Sequence, residues 1–352
     1  MLRKGLVALV AAGALALAGC AGGQSSVIDH SLVAVGLDVA YTGVGPASPD
    51  ATAADLAVGA ATLAGFSYLD ERGRSVPDPS FGRVSVVSED PFVVRYTVAD
   101  SLAWSDGVGV DGVDLMLDWV ARGHPYAGTS FGSSPDLALS GARSVRLSAD
   151  RKSLDIEFSA ETSGWSEAFR APLPAHAIAI RAFGSSSPEA AKDEVIAAVD
   201  AAEAGDASAL RRLAAAWSSS FALDGPALPA SGPYAIDSAS AHFVGLAANP
   251  RYVGIRQPTY ESVELWQLGS AGAAVQALAI GELDIVQVAP DDDLRGVLGR
   301  ISADRRLIGP TDSPALLVGW FHREVDHVEP GPLPLGALWN PWAWAPYVPA
   351  EI

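Results

Sequence analysis

The chain is poor in cysteine and in basic side chains. Cys20 is the single cysteine among 352 residues, which excludes a disulfide within the chain and a reactive thiol at any other position. Lys and Arg number 23 against 41 Asp and Glu, for a formal net charge of -18. So acidic a chain repels nucleic acid phosphates and anionic lipid headgroups, and neither is expected as a direct electrostatic partner. Metal-ligand spacing is also missing. Asp291, Asp292 and Asp293 follow one another, so their carboxylates diverge instead of alternating as in a calcium loop, and a capped helix start accounts for them better. His322, Glu324 and Asp326 share one face of an extended segment with His327 opposite, too few ligands on one edge for a metal centre. No metal and no cofactor is expected. The apolar run over 6–17 is too short to cross a bilayer comfortably.

That run nevertheless has a definite character. Arg3 and Lys4 precede it and small residues follow, which is the three-part plan of a secretory signal. It ends in Leu17-Ala18-Gly19-Cys20, which resembles the lipobox of bacterial lipoproteins. The resemblance implies removal of residues 1–19, acylation of the Cys20 thiol and of the new amino terminus, and a lipid-anchored protein on the extracytoplasmic face of the cell membrane. Several acyl chains at one cysteine anchor stably where a single chain is marginal. Residues 21–26 are small and polar, as in a flexible tether, so 20–30 is read as anchor and tether.

Hydrophobic residues make up 49% of the chain, ample for a core, and the length favours two domains. Periodicity and punctuation predict a mixed α/β order. A buried strand over 32–37 is followed by a Gly/Pro/Ser-rich loop over 40–49 and a small-residue helix over 53–63. Strands follow over 84–87 and 93–98. The stretch 96–123 is the best defined: a strand, a tight turn at Trp104-Ser105-Asp106-Gly107, then a helix with Val113, Met116, Leu117 and Val120 on one face. Asp111 is its expected N-cap, Asp114 lies three residues on, and Gly123 is the expected stop. A hairpin is expected over 144–158. Ser187-Pro188 opens a helix reaching about Ala204, and a second covers 207–217. Strands over 263–266 and 315–321 and a helix over 271–280 complete the pattern.

Gly128-Thr129-Ser130-Phe131-Gly132 matches the G-x-S-x-G expression of a hydrolase nucleophile elbow. An elbow needs an apolar strand before the serine and a helix after it, whereas Arg122-Gly123-His124-Pro125 precedes and Ser133-Ser134-Pro135-Asp136 follows. A glycine-rich loop is the better reading, and an enzyme is not expected.

Five phrases in order carry a resemblance to a known family: Trp104-Ser105-Asp106-Gly107, Pro172-Leu173-Pro174-Ala175-His176, Ser231-Gly232-Pro233-Tyr234, Asn249-Pro250-Arg251-Tyr252 and Gly281-Glu282-Leu283-Asp284. Together they resemble the family 5 extracellular solute-binding proteins, the dipeptide and oligopeptide class serving ABC importers. The resemblance implies a two-lobe α/β fold of the type II periplasmic-binding-protein kind, closing on a peptide or similar small solute and delivering it to a membrane permease. Trp104 and Asp106 are read as structural residues that hold the turn, and His176 as a structural residue at a lobe edge. Tyr41, Thr42 and Trp165 are the expected ligand contacts, because the resemblance places their loops near the cleft. The expected division is a first lobe over 31–230, a hinge over 231–260, a partial second lobe over 261–329 and a Pro/Trp-rich tail over 330–352. Relatives of this class continue further, so the second lobe is expected to be incomplete. An envelope scaffold of the same fold that no longer serves import is the alternative, with a secreted serine hydrolase behind it.

Overall fold

The computed structural model describes residues 27–70, 74–139, 141–160, 164–288, 307–308 and 317–320. Cys20 and the signal segment, Asp291 to Asp293, His322 to His327 and the 330–352 tail lie outside the described residues. In chain order the elements are β1 (Ile28–Leu37), α1 (Ala53–Thr62), β2 (Ser67–Leu69), β3 (Ser75–Pro77), β4 (Gly82–Glu89), β5 (Phe92–Val98) and α2 (Gly112–Gly123). There follow β6 (Ala142–Leu147), β7 (Ser153–Phe158), α3 (Ala175–Phe183), α4 (Pro188–Glu203) and α5 (Ser208–Ser218). The last are β8 (Tyr234–Ser240), β9 (Phe243–Ala248), β10 (Tyr260–Gln267), α6 (Ala271–Ile280), β11 (Ile285–Val288), β12 (Leu307–Ile308) and β13 (Leu317–Trp320). Among the described residues no helix is long and apolar enough to cross a membrane.

Two sheets organise two cores. The larger has seven strands in the order β12-β13-β11-β1-β10-β9-β8. Strand β1 lies inside it, parallel to both β10 and β11, and residues 33–37 are buried without a break. A run that alternated polar and apolar residues could not sit there, since a parallel strand covered on both faces needs apolar side chains throughout. Val33, Val35 and Leu37 join Val263, Leu265, Val244 and residues of α1 in one core. The expected boundary at 230 therefore runs through a single sheet: β1, assigned to the first lobe, is hydrogen-bonded to β10 and β11, assigned largely to the second. Sequence order misleads here because β1 is saturated only by strands made more than two hundred residues later.

The smaller sheet, β4-β5-β7-β6, is antiparallel. In β5, Phe92, Val94, Tyr96 and Val98 point inward while Arg95 faces solvent, as the two-residue period of a strand requires. Leu154, Ile156 and Phe158 of β7 do the same, and α2 closes over them while also meeting α3 and α4. The second core forms between this sheet and α2 to α5.

Local signals account for the helix starts. Asp111 caps α2 in a full capping box with Asp114, Thr52 and Asp55 do the same for α1, and Ser187 caps α4 with Pro188 in the first turn. Two details differ from expectation. Gly123 is still helical, and His124 is the residue that turns left-handed to end α2. Helix α3 starts immediately after Pro174, in a segment for which no helix was expected.

Candidate functional site

The family phrases converge on buried structural contacts. Trp104 is fully buried, and its indole donates to the Asp114 carboxylate at 3.4 Å. That carboxylate, itself sealed from solvent, also accepts from the backbone N–H of Asp111 (2.9 Å) and of Ala175 (2.8 Å) and from the Lys192 ammonium (3.1 Å). Lys192 also donates to the Gly109 carbonyl at 2.8 Å and lies 3.0 Å from Asp111. Burial works to lower the Lys192 pKa, but the charges of Asp114 and Asp111 overcome it and hold the ammonium above its ordinary value. The Asp106 carboxylate meets His176 Nε2 at 2.8 Å and accepts from Val108 N–H at 3.1 Å. His176 thus holds a side chain of the turn rather than backbone at an edge.

The later phrases tie α1, α6 and the strands of the larger sheet together, and Ser105 of the first phrase reaches Ala230 beside them. Ser105 and Ala230 exchange two hydrogen bonds, Ser105 N–H to the Ala230 carbonyl at 2.7 Å and Ala230 N–H to the Ser105 hydroxyl at 2.9 Å. Ser231 and Gly232 both donate N–H to the Thr62 carbonyl, at 3.0 and 2.8 Å. A Cβ on Gly232 would stand 2.7 Å from the Ala61 carbonyl oxygen, so only glycine admits this approach. Asn249 donates its side-chain amide to the Gly232 carbonyl at 2.8 Å. Asp284 accepts from Ala34 N–H at 2.9 Å, tying the end of α6 to β1.

The pocket lies elsewhere. About 580 Å³ of space opens at the seam of the two cores, within the usual range for a small-molecule site. One wall is the loop over 44–48 with the outward side of α1; the other holds Phe131, Leu173, Trp217 and Phe221 from the second core. The loop reaches α1 because residue 59 is glycine, where a Cβ would stand 2.6 Å from Pro46. Phe131 and Trp217 meet edge to face at 5.8 Å, and Ser218 donates to the Phe131 carbonyl at 2.9 Å.

Arg122, Arg170 and Arg256 are the charged residues of the wall. Arg122 bonds Asp118 at 3.4 Å and is paired with Asp136, while its buried Nε has no partner. Burial pushes the Asp118 carboxyl from the ordinary 3.8 to about 7, with Arg122 opposing and Asp136 adding to the shift. Arg170 is paired with Glu167, and the Arg256 guanidinium lies 4.2 Å from the centre of the Tyr68 ring.

None of the three expected ligand contacts lines this pocket. Tyr41 is 5% exposed and packed in the core of the larger sheet, where burial and Asp55 raise its phenol to about 12. Thr42 donates its N–H (3.0 Å) and its hydroxyl (2.7 Å) to Asp55. Trp165 packs edge to face on Phe92 at 6.2 Å, and its carbonyl accepts from the Tyr96 hydroxyl at 2.6 Å. Ser130 is exposed in a segment that is neither strand nor helix, so the nucleophile-elbow geometry is not formed. The pocket residues went unnoticed because they come from many separated segments. Only Trp217, near the end of the amphipathic helix α5, and Phe221, just after it, offered a local signal.

Comparison with solved structures identifies the architecture. A periplasmic EDTA-binding protein superposes with a TM-score of 0.58 at 17% identity, covering 77% of this chain and 46% of that one. Campylobacter jejuni NikZ, solved with nickel and L-histidine, gives 0.55 at 16% identity, with 80% of this chain and 47% of that one. Bacillus subtilis AppA, an oligopeptide-binding protein solved with a nonapeptide, gives 0.52 at 14% identity, with 79% and 47%. The chain has the fold of the family 5 solute-binding proteins, over about half the length of such a protein.

In sequence it is similar to an uncharacterised lipoprotein of Mycobacterium tuberculosis, 30% identical over 283 residues that make up 76% of this chain and 46% of that protein. An uncharacterised lipoprotein of Mycobacterium leprae is 30% identical over 266 residues, 72% of this chain and 44% of that protein. The chain therefore spans less than half the length of the curated relatives it matches. No family model matches the sequence.

Proposed function

We propose that the chain belongs to an extracytoplasmic solute-binding lipoprotein, anchored through acylated Cys20, that binds a peptide or similar small solute and passes it to the permease of an ABC importer. The observation that carries this reading is the fold, shared with proteins solved around a nonapeptide and around a nickel complex. The lipobox at Cys20 and the lipoprotein names of the curated relatives support the anchor. The pocket at the seam supplies the contacts proposed for a solute, in place of Tyr41, Thr42 and Trp165.

Thermal-shift screening of the acyl-free chain against a peptide library tests the binding role. A ligand present at a hundred times its Kd adds about 2.7 kcal/mol to the folded state, a readily measured rise in Tm. A flat response to every peptide and small solute would move the assignment to an envelope scaffold of the same fold. For the anchor, Cys20→Ser is expected to abolish incorporation of labelled fatty acid and to release the protein from membranes or leave it unprocessed. Unchanged labelling in that variant would refute the lipoprotein assignment.

A further inference from the structure

We infer that the pocket at the seam is a site for an amphipathic organic anion: an apolar body carrying one carboxylate-type head. The inference deepens the reading of the chain as a solute-binding protein by naming a ligand class, and the wall itself carries it. All of the wall comes from residues 44–256.

The first observation is the charge of the wall. Carboxylates outnumber basic side chains 41 to 23 in this chain, yet the wall holds Arg122, Arg170 and Arg256 and no Asp or Glu. Their counter-charges, Asp118, Asp136 and Glu167, stand behind the wall rather than in it. The second observation is that these cations keep open surface beside their partners. Arg122 is 17% exposed with Asp118 and Asp136 bound to its two terminal nitrogens, and Arg170 is 41% exposed with Glu167 bound to it.

The remaining wall is mainly apolar and aromatic and includes Val44, Pro46, Leu56, Phe131, Trp217 and Phe221. Together these features suit a molecule with one anionic end and a hydrocarbon or aryl body. A zwitterionic peptide fits less well, since its ammonium would face arginines with no carboxylate in the wall to receive it.

Three ligands with one hydrocarbon body separate head charge from burial: decanoate, decan-1-ol and decyltrimethylammonium, titrated calorimetrically into the full processed chain at neutral pH. Decanoate is expected to bind about tenfold or more tighter than the alcohol, the ratio that a single 1.4 kcal/mol charge interaction gives, and the cation not to bind. Leu56 is 44% exposed on the wall, so its replacement leaves the fold intact. Both variants lose an apolar contact, and Leu56→Glu should weaken decanoate about tenfold more than Leu56→Lys does, with melting curves confirming that both fold. Equal affinity for the three ligands, equal affinity in the Glu and Lys variants, or no decanoate binding by the folded wild type would each overturn the inference. A peptide that shifts Tm while decanoate does not bind overturns the anion site and leaves the solute-binding role standing. Decanoate binding in a chain that ignores every peptide supports the anion site and confines the failure to the peptide reading.

Discussion

The network around Asp114 and the pocket beside Arg122 lie in the same molecule and use charge in opposite ways. Around Asp114 each charge faces its opposite: the carboxylate receives four donors, and Lys192 meets two carboxylates and a carbonyl. Around Arg122 the cations Arg122 and Arg170 are paired yet keep side-chain surface on an open space lined mainly by apolar groups. Saturation is what a structural site requires, because a buried unpaired group costs stability. A concave apolar space with a few charged groups in its wall is what a binding site requires. The short phrases that mark this fold belong almost wholly to the saturated set, so they identify an architecture and say little about what it holds.

Breaking the saturated set should have the largest effect. Asp114→Ala leaves Lys192 buried against Asp111 alone and strips acceptors from Asp111 N–H, Ala175 N–H and the Trp104 indole. A loss of about 3–5 kcal/mol is expected in urea unfolding. The double variant Asp114→Ala, Lys192→Met should recover part of it. A single-variant loss near zero would show that the network is not structural.

Gly232→Ala tests the tie between α1 and the larger sheet. The added Cβ meets the backbone of Ala61, Thr62 and Leu63 at 2.7 to 2.8 Å, which an overpacked site relieves at a cost of about 1–3 kcal/mol. Thermal melts read this directly, and a Tm equal to wild type would refute the close approach.

A third test sharpens the pocket side and lies in the pH dependence. Asp118 titrates near 7 when folded and near 3.8 when unfolded, so between those values the folded chain binds the extra proton. Its contribution to stability is complete below about pH 4 and is lost as pH rises through 7. Asp118→Asn keeps a neutral group in place, so urea midpoints measured from pH 5 to 8 should fall less steeply than in wild type. Parallel pH profiles would exclude a neutral Asp118.

Helices were legible in the sequence where their caps are local. Asp111 with Asp114 and Ser187 with Pro188 each lie within a few residues of the helix they delimit, and the structure places α2 and α4 accordingly. Helix α3 was not legible. Its first N–H is satisfied by Asp114, sixty-one residues away in the chain, and no local side-chain cap marks its start. The turn residues Trp104 and Asp106 were read as structural: Trp104 is buried against Asp114, and Asp106, itself exposed, holds the buried His176. The pocket was hidden for the reason that hid α3: Arg122, Arg170 and Arg256 become neighbours only through tertiary folding. Tyr41 and Trp165 pointed elsewhere because an aromatic in a loop reads the same whether it ends against a ligand or a core.

The interior place of β1 bears on how the chain reaches its fold. Ile28 pairs with Tyr260, and Val35 with both Leu265 and Ile285. As the chain emerges amino terminus first, β1 has no sheet partner until the strands after residue 260 are available. Until then it is an apolar segment with two open edges, the kind of segment that associates with other chains. Pairings so distant in sequence slow folding and prolong that exposure. The smaller sheet has no such wait, since β4 to β7 and α2 lie within one stretch of chain. The antiparallel unit is therefore expected to gain hydrogen-exchange protection first, with β1 among the last strands to be protected.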